Sequence, residues 1–262
     1  MKLFITGHKG FLGKKLSEYL TEKGHKIYYD DNLDVTKKED CIMKDKFDAV
    51  IHCAAMTDVD GCERDRYNAW RVNVEGTVNV ANACKVKGIK LVHISTDYVL
   101  KAINHYAVTK LVAEEKIKEI LPNNHLIVRT STLYGYNDKE DKKTFVTWIL
   151  GQKDKVKTIN DNVTHPTLID DIAENIELLL NNNTKGVVNI VGKDCISKYD
   201  FANEIIKVFD LKLKNERIWS GQVKAWIAKR PFELRLINTN GVVTHNTNEG
   251  LEIMKRQMEA DK

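Results

Sequence analysis

The sequence predicts an α/β fold: an open, doubly wound parallel sheet with helices on both faces, and a smaller C-terminal lobe that binds substrate. Three observations carry that expectation. The chain opens on a short apolar run that passes through a glycine turn into a helix-spaced segment. Short apolar runs then alternate with amphipathic segments as far as about residue 135. The 262 residues are 42% apolar, enough to bury a sizeable core as one domain or two closely joined ones.

Lys2-Leu3-Phe4-Ile5-Thr6 has strand character and runs into Gly7-His8-Lys9-Gly10-Phe11-Leu12-Gly13. Leu12, Leu16, Tyr19 and Leu20 then recur at helical spacing. Strand, glycine turn and helix together seat a dinucleotide pyrophosphate on a helix N-terminus, which makes the sheet Rossmann-type. Gly7 permits the tight turn, Gly10 lets backbone approach the pyrophosphate, and Gly13 lets helix and strand pack closely. The spacing is Gly-x-x-Gly-x-x-Gly, and a purely structural turn is the competing reading. A second strand, His25 to Tyr29, ends in Asp30-Asp31. An acid at that point binds the adenosine ribose and disfavours a 2′-phosphate. NADH is therefore favoured, and Lys37 and Lys38 leave NADPH open.

Asp48 to Cys53 reads as a third strand, leading to Ala54-Ala55-Met56-Thr57. Residues 68–87 read as a long helix with Trp70, Val74, Thr77, Val78 and Ala81 along one side. Ile89 to Ile94 is a fourth strand, leading to Ser95-Thr96-Asp97. The next helix carries Tyr106 and Lys110 and runs to about Ile120, ended by Pro122. His125 to Arg129 is a fifth strand. Gly7, Asp30, Ala54, Thr96 and Thr130 all follow strand ends, which in a parallel sheet share one crevice.

Beyond residue 135 the pattern loosens. Helices are expected over 143–151, 168–181, 197–209 and from Thr247 to Gln257, with strands at Lys155–Ile159 and Gly186–Val191. Residues 1–135 form the dinucleotide-binding domain in this reading. Residues 136–262 form mainly the substrate lobe, with some segments returning to the main sheet.

Tyr106 and Lys110 lie four residues apart, hence on one helix face about one turn apart. A cation beside a phenol favours the phenolate, so the pair can exchange a proton with a sugar or alcohol oxygen. The net charge of +4 comes from interspersed charges and argues for no nucleic-acid partner. Five cysteines without Cys-x-x-Cys spacing argue against a disulfide framework or zinc site, and a reducing compartment is the default. No run approaches membrane-spanning length, and the cytoplasm is the expected location. His52, Cys53 and His93 sit in apolar strands and read as core; no metal site is expected.

These residues resemble the extended short-chain dehydrogenase/reductases, and within them the dTDP-4-dehydrorhamnose reductases. Beside the glycine turn, the landmarks are Leu33-Asp34-Val35, Ala54 to Asp60 and Val72 to Thr77. They continue with Ile94-Ser95-Thr96-Asp97-Tyr98-Val99, Tyr106 to Lys110, Arg129 to Gly135, His165-Pro166-Thr167 and Arg230-Pro231. The resemblance implies reduction of a 4-keto-6-deoxy sugar nucleotide by NADH or NADPH. Tyr106 would be the general acid, Lys110 would lower its pKa and hold the nicotinamide ribose, and Thr96 would orient the carbonyl oxygen. Gly10, Phe11 and Leu12 would face the pyrophosphate, Asp30 the adenosine ribose, and Asp34 and Val35 the adenine. Ala54, Ala55 and Thr57 would line the nicotinamide side. Thr57, Asp97, Thr132 and Arg230 are the candidate substrate contacts, with Arg230 toward a diphosphate or capping the lobe. A homodimer is a family-level expectation.

Three departures stand out. Only ten residues separate Thr96 from Tyr106, where the resembled reductases carry a longer loop over the substrate. Thr132 stands where they commonly place a tryptophan. Tyr98 stands where sugar-nucleotide dehydratases of the superfamily place a glutamate, which removes the acid/base of a 4,6-dehydratase. The alternatives are a catalytically silent nucleotide-binding regulatory subunit of the same fold, and a sugar-nucleotide epimerase.

Overall fold

The computed structural model describes residues 1–43, 45–137 and 144–261. Its centre is a six-stranded, wholly parallel sheet formed by β1 (Lys2–Thr6), β2 (Lys26–Tyr28), β3 (Ala49–His52), β4 (Lys90–Thr96), β5 (His125–Thr130) and a later strand, Gly186–Asn189. From one edge to the other the order is Gly186–Asn189, β5, β4, β3, β1, β2. The direction of winding reverses between β1 and β3, which opens a crevice at their carboxyl ends.

Helix α1 (Phe11–Glu22) follows the glycine turn, and α2 (Val59–Arg64), α3 (Arg66–Trp70) and α4 (Gly76–Lys87) lie between β3 and β4. The expected helix over 68–87 is not continuous. Arg71–Glu75 form a π-turn between α3 and α4, and α2 was not anticipated. The π-turn shifts the helical phase, so Val74, Thr77 and Ala81 are buried while Trp70 is exposed. Helix α5 (His105–Ile120) carries Tyr106 and Lys110.

Past β5 come β6 (Leu133–Tyr134), α6 (Phe145–Leu150), β7 (Lys155–Ile159), β8 (Val163–Thr164), β9 (Thr167–Leu168) and α7 (Ile169–Asn181). Residue 143, the first of the helix expected over 143–151, lies outside the described residues. The strand β10 (Gly186–Asn189) pairs in parallel with β5, and α7 packs on α1, so both return to the main sheet. Then follow β11 (Ile196–Ser197), α8 (Lys198–Val208), β12 (Lys214–Ile218) and α9 (Thr247–Ala260). β12 pairs in parallel with β7, an arrangement the sequence did not suggest.

Three cores result. One sheet face buries Leu3, Ile5 and Val128 with Leu16 of α1 and Ile172 and Ile176 of α7. The other buries Val50, Leu91 and Ile127 with Val80 and Cys84 of α4 and Ile117 of α5. The third packs Tyr134, Val146, Phe201, Leu251 and Met254 together, joining α6, α8 and α9 into a lobe. Burial of such side chains stabilises the fold by roughly 1.5–3 kcal/mol each. No helix among the described residues is long and apolar enough to cross a membrane.

Candidate active site

The turn after β1 is shaped by backbone crowding. Gly7 has φ +69°, and a Cβ there would lie 2.7 Å from the Ala54 nitrogen. A Cβ on Gly13 would lie 2.2 Å from the Gly7 carbonyl oxygen. Strand, loop and helix therefore meet at a distance that only glycine allows. Gly10 is the N-cap of α1, and no side chain caps that helix end. The first-turn N–H groups face the cleft with the positive end of the dipole, which suits a pyrophosphate.

This helix end forms one wall of a cleft of about 350 Å³. Gly7, Gly10, Phe11, Leu12, Gly13, Ala55, Thr57, Thr96, Tyr106 and Lys110 all line it; of the five strand-end residues expected in one crevice, Gly7, Thr96 and Thr130 do so and Asp30 and Ala54 do not. Ala54 stands behind Gly7, its N–H directed at Thr6 Oγ1 over 3.4 Å. Ser95, Ser131 and Thr144 also line the cleft, as does Cys53, which the sequence reads as core. Burial pushes the Cys53 thiol up to about 12, so it is no nucleophile.

The remaining sequence-predicted residues lie elsewhere. Asp30 borders a separate depression beside Tyr29 and Leu33, and its carboxylate accepts the Asn32 N–H at 2.9 Å. Its neighbour Asp31 is ion-paired with Lys9 at 2.7 Å and with His8. Asp34 closes a turn through Thr36, whose N–H and hydroxyl donate at 3.0 and 2.8 Å. Val35 is buried and fills the space that a Cβ on Gly76 would need.

Burial dominates the electrostatics around the acid candidate. The Tyr106 phenol is pushed well above its ordinary range by burial, which the nearby Thr96 hydroxyl only partly offsets. Lys110 Nζ donates to the Ile94 carbonyl at 2.7 Å and to His93 Nε2 at 3.0 Å. The ammonium is itself pushed down to about 8 by burial. Burial thus outweighs any neighbouring charge at the phenol, while the lysine's N–H bonds serve β4.

Asn73, which sequence reasoning named only within a landmark, organises the site from the π-turn. Its Oδ1 accepts the Met56 N–H at 2.8 Å, and its Nδ2 donates to Met56 O and to Thr109 Oγ1, each at 3.0 Å. It thus ties the loop after β3 to the helix carrying Tyr106 and Lys110. His52 bridges Thr6 and Thr77 at 2.7 and 3.1 Å, and burial pushes its pKa down to about 3.

Asp97, Thr132 and Arg230 do not line the main cleft. Asp97 is buried, 3.0 Å from Thr96 Oγ1 and 2.6 Å from Ser131 Oγ, and burial raises its pKa. Thr132 Oγ1 is taken by Thr164 at 2.6 Å and by Lys198 Nζ at 2.9 Å. Arg230 forms a two-point ion pair with Asp60, at 2.9 and 3.1 Å, and lies over the Trp226 ring. Arg230 also borders a second depression of about 260 Å³, with Tyr98, Trp148, Lys157, Lys198 and Trp226. Lys198 had been read only as part of a helix; no local pattern marks it.

The family described as RmlD substrate binding domain matches residues 1–248. A probable low-salt glycan biosynthesis reductase of Haloferax volcanii is 29% identical over 241 residues, covering 79% of this chain and 80% of that protein. The dTDP-4-dehydrorhamnose reductase of Clostridium acetobutylicum superposes with a TM-score of 0.92 at 29% identity, over 99% of this chain and 100% of that one. A Bacillus anthracis dTDP-4-dehydrorhamnose reductase, solved in complex with NADP, gives 0.89 at 29% identity, over 98% and 99%.

Proposed function

The chain belongs to the family of the RmlD substrate binding domain, and from that premise we propose that it is an NAD(P)H-dependent reductase of a 4-keto-6-deoxy sugar nucleotide. The substrate we favour is dTDP-4-dehydrorhamnose, reduced to dTDP-L-rhamnose. The observation that carries the reading is the meeting of Thr96, Tyr106 and Lys110 in one cleft with the glycine turn. A silent nucleotide-binding subunit has no chemical need for all three.

The bound nicotinamide supplies the hydride. Tyr106 gives its phenolic proton to the carbonyl oxygen, and Thr96 holds that oxygen through its hydroxyl. Lys110, bonded here to His93 and the Ile94 carbonyl, would hold the nicotinamide ribose. Gly10, Phe11 and Leu12 offer backbone to the pyrophosphate. Asp30 meets the adenosine ribose, and Asp34 and Val35 flank the adenine from the turn they build. Asp30 favours NADH, while Lys9 and His8 near the same edge keep NADPH in play. The second depression suits a charged, ring-bearing nucleotide, since Lys157 and Lys198 stand there among Tyr98, Trp148 and Trp226.

The deciding experiment offers a panel of 4-keto sugar nucleotides and follows NADH and NADPH absorbance separately. Net consumption with one of them is the expected result. A protein that binds NADH yet oxidises none with any member of the panel is not this reductase. Tightly held NAD recycled without net consumption would instead mark an epimerase.

A further inference from the structure

The Lys110 ammonium is held from a single strand. Its Nζ donates to the Ile94 carbonyl at 2.7 Å and to His93 Nε2 at 3.0 Å, both on β4. An ammonium carries three N–H donors in tetrahedral array, so two fixed bonds set the direction of the third. Lys110 lines the cleft, and no third acceptor takes that N–H among the described residues.

Two histidines stand side by side beneath it, their ring centroids 5.3 Å apart, and they are bonded differently. His52 uses both nitrogens, bridging Thr6 Oγ1 at 2.7 Å and Thr77 Oγ1 at 3.1 Å, as a residue that ties elements together does. His93 uses one. Its Nε2 accepts from Lys110, so its proton sits on Nδ1, which is buried and has no partner among the described residues. A buried donor left without an acceptor works against folding. Nor is the ring needed to dock α5. Ser95, on the same strand, donates to Glu114 Oε1 at 2.6 Å, and Glu114 takes Arg129 of β5 through bonds of 2.6 to 3.2 Å. The helix is thus tied to the sheet one turn beyond Lys110 without His93.

We propose that His93 is a positioning residue for the cofactor site: its bare Nε2, with the Ile94 carbonyl, turns the free N–H of Lys110 toward the ribose that carries the nicotinamide. The inference rests on the reading of Lys110 as the ribose holder and deepens it. A ring protonated on Nε2 would set an N–H against an ammonium that only donates, and an imidazolium would set a second positive charge there. Only the Nδ1 tautomer leaves a lone pair where Lys110 needs one. The unpartnered Nδ1 proton is the consequence: the fold carries one unmade bond so that the acceptor faces the lysine. Without that acceptor the ammonium keeps a single anchor, the Ile94 carbonyl, and swings about it. The ribose then meets a head group of no fixed direction.

The test compares two ligands that differ by that ribose. ADP brings adenosine and a pyrophosphate to the glycine turn; ADP-ribose adds the ribose and no nicotinamide. Titration calorimetry of both on the full chain gives the affinity that the ribose adds. His93→Leu should shrink that gain about tenfold, the scale of one bond to a charged group, with ADP binding unchanged. His93→Gln, whose Oε1 can accept near the place of Nε2, should restore it. A second measurement needs no variant to fold: in the nitrogen NMR spectrum of histidine-labelled wild-type protein, the His93 ring should carry its proton on Nδ1 and leave Nε2 bare. A proton on Nε2, an unchanged gain in His93→Leu, or a loss that strikes ADP equally overturns the proposal. So does a wild-type protein that gains nothing from the ribose. A protein that passes these tests yet reduces no 4-keto sugar nucleotide would sink the reductase reading and leave His93 in its role. One that reduces such a substrate and fails them loses only this role of His93.

Discussion

Lys110 Nζ donates to His93 Nε2 across 3.0 Å, so the imidazole must accept there and carry its proton on Nδ1. That Nδ1 is buried and has no hydrogen-bond partner among the described residues. Burial, and after it the charge of Lys110, holds the His93 pKa well below its ordinary value. The lysine is thus held by two uncharged acceptors, His93 and the Ile94 carbonyl.

This sets a pH limit on the cofactor site. Lys110 is charged below about 8 and neutral above it, whereas the free side chain stays charged to 10.5. Fluorescence titration with NADH or NADPH should show affinity falling as pH rises through 8, by up to about tenfold per unit where the charge is required. Stability moves the other way for this group. Between the folded and unfolded pKa values the unfolded chain binds more protons, so the lysine's contribution rises with pH. Thermal melts up to about pH 9 should therefore show no parallel loss; a matching fall in Tm would mean that unfolding, not the lysine, weakens binding.

Tyr106→Phe removes the proton donor and leaves the ring that fills its place on α5. Turnover should fall about a hundredfold or more, the scale of lost acid catalysis, with cofactor affinity kept. Stopped-time absorbance and fluorescence quenching read the two quantities separately. Retained turnover would move the acid to another residue.

Gly13→Ala would place a methyl group 2.2 Å from the Gly7 carbonyl and 2.9 Å from the His8 Cα, neither of which is a flexible side-chain tip. The turn has to open, at a cost of roughly 1–3 kcal/mol, and dinucleotide affinity should drop with it. Denaturant unfolding and cofactor titration on the same sample check both.

Asn73→Ala removes three hydrogen bonds, leaves the Met56 N–H without a partner among the described residues and leaves the Met56 carbonyl only the Cys62 thiol. We expect about 1–3 kcal/mol of lost stability and a higher KM for the nicotinamide cofactor. Asn73→Asp should recover only the bond from the Met56 N–H. Unchanged KM in Asn73→Ala would show that the loop after β3 keeps its shape unaided.

Much of the sheet was legible because its strands are short apolar runs that end in glycines or small polar residues, and parallel strands bury both faces. The cleft followed, since strand ends in such a sheet converge whatever the side chains are. What escaped depends on contacts between distant segments. Gly186–Asn189 reads as a strand, but nothing local assigns it to the edge of β5 rather than to the lobe. The π-turn at Arg71–Glu75 inserts its extra residue without a glycine or proline to mark it. Lys198 follows a serine N-cap like any helix-opening lysine, and its bond to Thr132 spans 66 residues. Arg230 was read for its charge, yet Asp60, 170 residues earlier, already neutralises it.

The two outermost strands of the sheet bear on how copies of this chain avoid clumping. β2 is only three residues long, opens with Lys26 and exposes Tyr28, so it offers a poor template for another strand. At the opposite margin the segment near Ile237 lies against β10: Asn189 Nδ2 donates to the Ile237 carbonyl at 2.9 Å, and Asn238 Oδ1 accepts the Val191 N–H at 2.8 Å. One margin is short and opens on a lysine, and the other is tied down from within at its carboxyl end. Edge-to-edge stacking, the usual aggregation route of an open sheet, therefore finds little free strand at either margin.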